Sequence, residues 1–193
     1  YTFNGVTNGT GVFTGIPAGG GYSWSITDAN SCGPVTGTLP VTQPAALSGS
    51  SAVTSPVPCN GGTATVTLTG SGGTAPLSYT FNGVTNGTGV FTAIPAGINY
   101  PWSITDANSC GPVTGTQTVT EPTAVTGSAA ITSPILCNGG TATITLTGSG
   151  GTAPLSYTFN GVTNATGVFT GILAGAGYAW SITDANSCGP VTG

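Results

Sequence analysis

A repeat constrains this sequence more than any other feature. The string Tyr-Thr-Phe-Asn-Gly-Val-Thr-Asn begins at Tyr1, Tyr79 and Tyr157, a constant step of 78 residues. The block Ser-Ile-Thr-Asp-Ala-Asn-Ser-Cys ends at Cys32, Cys110 and Cys188, and Cys-Asn-Gly-Gly opens at Cys59 and Cys137, with the same step. A period of 78 is too long for a solenoid rung and suits one small β-domain per copy. The equivalent segments Val41-Thr42-Gln43-Pro44 and Val119-Thr120-Glu121-Pro122 each close a Thr/Val run with a proline, which has no N–H for a central ladder and so marks a linker. Residues 1–44 are read as the C-terminal half of one domain, 45–122 as a complete domain and 123–193 as most of a third.

Within the complete copy the apolar residues alternate with Thr and Ser. Ala64, Val66 and Leu68 stand between Thr63, Thr65, Thr67 and Thr69; Leu77, Tyr79 and Phe81 between Ser78, Thr80 and Asn82; Tyr100, Trp102 and Ile104 between Pro101, Ser103 and Thr105. Residues 113–120 continue the pattern, a weaker strand covers Val90 to Ile94, and Leu47 to Val53 supplies a first strand. Period two with one apolar face is the signature of a half-buried strand, and the separators Ser71-Gly72-Gly73, Asn82-Gly83 and Pro95-Ala96-Gly97 are turn sequences. The expected fold is all-β: tandem immunoglobulin-like β-sandwich domains with six or seven strands in each repeat. Pro101 interrupts a strand that reads as central, so its nitrogen must face away from the neighbouring strand or the strand must be an edge there.

Composition then removes chemistry. The 193 residues include no Lys, Arg or His, and the only charged side chains are Asp28, Asp106, Glu121 and Asp184. Nucleic-acid binding needs cations to neutralise phosphates, so that partner class is excluded. No His or Lys base can be paired with a nucleophile and each repeat carries one Asp, so no enzyme is expected and no cofactor. No apolar run approaches a membrane span.

Taken together, Cys59-Asn60-Gly61-Gly62, Gly72-Gly73-Thr74-Ala75-Pro76, Ile94-Pro95-Ala96-Gly97, Asp106-Ala107-Asn108-Ser109-Cys110 and Val119-Thr120-Glu121-Pro122 form an order of blocks that resembles the SprB-repeat family of very large surface adhesins in gliding Bacteroidetes. The resemblance runs through the whole chain, although Trp here stands on the strand before Asp-Ala-Asn rather than on the one after Gly-Gly-Thr. It implies export to the cell surface and a role in adhesion or motility.

Each complete repeat contains two cysteines. The expected pairs are Cys59–Cys110 and Cys137–Cys188 within domains, with Cys32 bonded to an upstream cysteine outside the chain. Each such bridge would close about 50 residues and stabilise by roughly 4 kcal/mol in the chain-entropy model. The alternatives are a Cys32–Cys59 bridge between consecutive domains, or free thiols. Disulfides imply an oxidising, extracellular setting, and two cysteines without His or clustered acids do not complete a zinc shell.

Asp106 and Asn108 are a weak calcium candidate beside the plainer reading of an Asx turn. Asn8, Asn86 and Asn164 begin N-glycosylation triplets, each also readable as a hairpin turn. Trp24, Trp102 and Trp180 fit core positions better than sugar platforms. The expected function is a structural repeat segment of an extracellular bacterial adhesin, stalk or filament that self-associates into a fibre. The alternative is a multivalent module binding carbohydrate or another surface ligand.

Overall fold

The computed structural model describes every residue from Tyr1 to Gly193. With 0% helix and 51% strand, the chain is all-β, as the alternation of Thr with Val, Ile and Leu requires. It divides into two compact units, Tyr1–Ala46 with Gly72–Thr74, and Leu47–Ser71 with Ala75–Gly193.

The smaller unit holds one antiparallel sheet. Its strands are β1 (Thr2–Phe3), β2 (Val6–Thr7), β3 (Gly19–Ile26) and β4 (Val35–Val41), in the order β2-β1-β3-β4. Phe3 is its buried residue at 8% exposure, ringed by Phe13 and Tyr22 at centroid distances of 5.4 and 5.5 Å. Ile26, Val35 and Leu39 remain exposed.

The larger unit contains two pairs of sheets. In its first half β5 (Ser48–Ser55), β6 (Thr63–Ser71), β7 (Ser78–Phe81), β8 (Val84–Asn86), β9 (Val90–Pro95), β10 (Gly97–Thr105) and β11 (Val113–Val119) form the sheets β5-β6-β9 and β8-β7-β10-β11. The second half repeats this with β12 (Thr126–Ser133), β13 (Ala142–Ser149), β14 (Ser156–Phe159), β15 (Val162–Asn164), β16 (Val168–Ile172), β17 (Trp180–Thr183) and β18 (Val191–Thr192), in the sheets β12-β13-β16 and β15-β14-β17-β18. All pairings are antiparallel.

The period-two pattern explains where the core sits. Ala64, Val66 and Leu68 of β6 point inward and form one cluster with Phe81, Phe91, Trp102, Ile104 and Val119, while the intervening threonines lie toward solvent. Val66 and Ile104 are fully buried, and each such side chain stabilises by roughly 1.5–3 kcal/mol. Ile144, Leu146, Phe159, Phe169 and Ile182 repeat the arrangement. Trp102 lies across β11 opposite Gly115 in the strand register. A Cβ at Gly115 would stand 2.5 Å from the Trp102 ring, so glycine at this site makes room for the indole.

Two local features refine the sequence reading. Strand β8 follows from the Asn82-Gly83 pair, whose φ angles of 46° and 81° suit the two-residue hairpin turn that matches strand twist. Phe81 then pairs with Val84 and Tyr79 with Asn86. Pro101 is accommodated because β10 pairs with β7 only from Trp102 onward, so the missing N–H falls outside that ladder. The Pro101 carbonyl still accepts a hydrogen bond from the Asn82 N–H at 2.8 Å.

Candidate functional site at the inter-repeat joint

The five cysteines do not pair as the sequence suggests. Cys59 is bonded to Cys188, 129 residues away, with a Cα separation of 5.5 Å. Cys32, Cys110 and Cys137 are free, exposed thiols. The Cys59–Cys110 and Cys137–Cys188 expectations are therefore corrected, as is the alternative Cys32–Cys59 bridge.

Strand direction gives the reason. Cys59 precedes the start of β6, and β9 runs antiparallel to β6 so that Pro95 pairs with Thr63. Strand β10 begins at Gly97, immediately beyond β9, and therefore starts at the same end as Cys59. It then runs nine residues to the other end, roughly 30 Å at about 3.3 Å per residue. Cys110 lies beyond that far end. A disulfide requires Cα atoms within about 7 Å, so the two cysteines of one repeat cannot reach each other. The bond joins opposite ends of consecutive repeats instead.

Around this bond the loop carrying Cys59 grips both the linker and the next repeat. Gly62 N–H donates to the Cys59 carbonyl at 2.9 Å, closing a turn in which Gly61 has φ of 75°. Gly61 N–H donates to Glu121 Oε2 at 2.6 Å, and Asn60 Nδ2 donates to the Pro122 carbonyl at 3.1 Å. From the other side Asn186 Nδ2 donates to the Pro58 carbonyl at 2.9 Å and lies 3.2 Å from Thr152 Oγ1. A cleft of about 210 Å³ at the joint is lined by Cys59, Asn60, Ala124, Gly151, Asp184 and Cys188, among others.

Asp184 organises the half of the joint that belongs to the later repeat. Its Oδ2 accepts from Thr152 N–H at 2.8 Å, and its Oδ1 accepts from Asn186 and Cys188 N–H at 2.9 and 2.8 Å. These donors favour the ionised form, the Thr152 N–H most strongly, and hold its carboxyl below the usual aspartate range. The carboxylate thereby aims Cys188, 8% exposed, at its partner. The same turn recurs at Asp28, whose Oδ1 accepts from Cys32 N–H at 2.8 Å, and at Asp106, whose Oδ1 accepts from Cys110 N–H at 2.8 Å.

The other candidates take these places. Asp106 Oδ1 also accepts from Asn108 N–H at 3.0 Å, which is an Asx turn, and no group of three or more His, Cys, Asp or Glu residues comes together anywhere in the chain. Asn8, Asn86 and Asn164 each close a turn: Asn86 Oδ1 accepts from Thr88 and Gly89 N–H at 3.0 and 2.7 Å. The Nδ2 that a glycan would occupy donates to the Val90 carbonyl at 2.9 Å, and its counterparts reach Val12 and Val168. Trp102 is 9% exposed and its Nε1 lacks a hydrogen-bond partner. It borders a shallow groove of about 410 Å³ with Thr80, Ser103, Thr114, Gly115 and Thr116, and Trp24 borders a similar one of about 450 Å³.

The inter-repeat contact escaped sequence reasoning because a count of two cysteines per repeat is satisfied equally by either connectivity. The order of β6, β9 and β10 was the signal that separates them. No helix is long and apolar enough to cross a membrane. Compared with protein-family models, curated proteins and solved structures, the chain matches none.

Proposed function

We propose that this chain is a structural repeat segment of an extracellular bacterial adhesin, stalk or filament, built from immunoglobulin-like sandwich domains and designed to bear tension. The observation that carries this reading is the Cys59–Cys188 bond. Tension applied outside the bond passes directly between the two sulfurs, so the residues between them, which include the whole Ile144–Ile182 cluster and the Val66–Val119 cluster except Val57, are shielded from stretching. A bond inside one domain would protect that domain alone. This bond also locks the joint, where Asn60 and Gly61 already hold Pro122 and Glu121.

Secreted location is supported by the same bond, since disulfides persist in oxidising compartments. Facing sheets with a shared apolar core support the sandwich assignment, and the ordered blocks described above support the likeness to SprB repeats. An uncharged Thr-, Ser- and Gly-rich surface suits an exposed array, because it offers trypsin-like proteases no Lys or Arg and depends little on salt.

Single-molecule stretching tests the mechanical reading. Pulled from its termini, the oxidised chain should keep the segment between Cys59 and Cys188 hidden, and reductant should release about 450 Å of extra contour length at about 3.5 Å per residue. Equal lengths with and without reductant contradict it. The groove recurring at Trp24 and Trp102 favours a second reading, weak glycan binding multiplied by avidity. Glycan-array binding by the tandem chain, lost on Trp102→Ala, would establish that one.

A further inference from the structure

The residues that follow Cys59 carry a reactive pair, Asn60-Gly61. A glycine after asparagine puts no Cβ beside its backbone nitrogen, and that nitrogen is the atom that attacks the asparagine side-chain amide when the residue deamidates. Asn60 and Gly61 are both exposed, and a Cβ at Gly61 would meet nothing within 4 Å, so no neighbour obstructs the attack. The joint does restrain it. The Gly61 N–H is engaged by Glu121 Oε2 at 2.6 Å, and the Asn60 carboxamide is drawn to the Pro122 carbonyl at 3.1 Å. Ring closure must break both hydrogen bonds, because the nitrogen gives up that proton and the carboxamide has to swing from Pro122 onto it.

We propose that Asn60 is a self-modification site gated by the joint: it stays asparagine while the Cys59–Cys188 bond and the Glu121–Pro122 clasp are closed, and it deamidates when they open. This rests on the reading of the Cys59–Cys188 joint. Two other Asn-Gly pairs of the same repeat are held by local bonds instead. Asn82-Gly83 lies inside the hairpin that pairs Phe81 with Val84. The Asn86 carboxamide is bonded at both ends within its own turn, to Thr88, Gly89 and Val90. Only Asn60-Gly61 of these three depends on the linker, and its neighbour Cys59 is the residue bonded to the next repeat.

In the opened joint the Gly61 nitrogen attacks Asn60 Cγ. The new N–Cγ bond closes a succinimide ring, the Cγ–Nδ2 bond breaks, and Nδ2 leaves as ammonia with the Gly61 proton. Water then adds at either ring carbonyl and opens the ring to an aspartyl or isoaspartyl residue. One water is consumed, one ammonia is released and nothing is oxidised. The product does not restore the clasp. A carboxylate at position 60 has no N–H to donate to the Pro122 carbonyl, and it stands beside the Glu121 carboxylate. A joint left open long enough therefore stays loose, and position 60 keeps the record of its opening.

The test holds the full chain at neutral pH, with and without reductant, alongside Glu121→Ala and Cys188→Ser. Deamidation at each asparagine is followed over time by tandem mass spectrometry. Asn60 should change least in the oxidised native chain and at least about fivefold faster in the reduced chain and in both variants, as local opening exposes it. Asn86 should keep one rate throughout. An Asn60 rate that does not rise on reduction, or a rise matched at Asn86, would overturn the proposal. The unreduced digest of the same sample is read for the Cys59–Cys188 peptide. If that bond is present and the Asn60 rate ignores it, this inference fails alone; if the bond is missing, the joint itself fails.

Discussion

Cys59 and Cys188 stand 5.5 Å apart at their α-carbons although 129 residues separate them in sequence, because the start of β6 in one repeat meets the turn after β17 in the next. The bond closes a loop for which the chain-entropy model gives about 5 kcal/mol of stabilisation, against roughly 4 for the intradomain bridges expected from the sequence. Cys188→Ser should therefore lower the midpoint of thermal unfolding by many degrees, whereas Cys110→Ser should leave it within a degree or two. Calorimetry on the two variants checks this.

The joint should also respond to acid. Asp184 has a lowered pKa in the folded chain, so it contributes stability that is fully present above the ordinary aspartate value of about 3.9 and is lost as pH falls through the lower folded value. Unfolding by denaturant, followed from pH 6 to pH 2, should show a loss beginning below about pH 4 in the native chain. Asp184→Asn should be less stable at neutral pH and nearly flat over that acid range. Two parallel pH profiles would remove Asp184 from this role.

Gly115 should tolerate no side chain. A Cβ there stands 2.5 Å from the Trp102 ring, while one at Gly87 meets nothing within 4 Å. Overpacking a core typically costs 1–3 kcal/mol, so Gly115→Ala should destabilise by about that amount and Gly87→Ala by much less. Chemical denaturation with Trp fluorescence measures both.

Asn86 should prove a turn residue rather than a glycan carrier. Its carboxamide makes hydrogen bonds to Thr88, Gly89 and Val90, and losing them in Asn86→Ala should cost about 1–2 kcal/mol. Intact mass of the native protein should show no sugar at Asn8, Asn86 or Asn164, and a hexose-containing mass at any of them contradicts this reading.

Much of the fold was legible because it is local. Alternation of Thr with Ala64, Val66 and Leu68 places β6 and its buried face, and Asn82-Gly83 places a turn. What lay beyond reach depends on neighbours. Val90-Phe91-Thr92-Ala93-Ile94 is a strand because it pairs with β6, whereas the nearly identical Val12-Phe13-Thr14-Gly15-Ile16, in a unit without such a strand, forms none. The cysteine pairing depends likewise on which end of a repeat each loop occupies. Spacing within the sequence does not record that; the antiparallel path from β6 through β9 to β10 does.

The central claim is that consecutive repeats are covalently joined, and peptide mapping of unreduced native protein tests it most directly. Chymotrypsin cleavage after Trp24, Tyr79, Trp102, Tyr157 and Trp180 leaves Cys59, Cys110 and Cys188 on three different peptides. The account predicts the peptide 25–79 disulfide-bonded to 181–193 and resolved by reduction. Cys59 found bonded to Cys110 instead, with Cys137 bonded to Cys188, would contradict it.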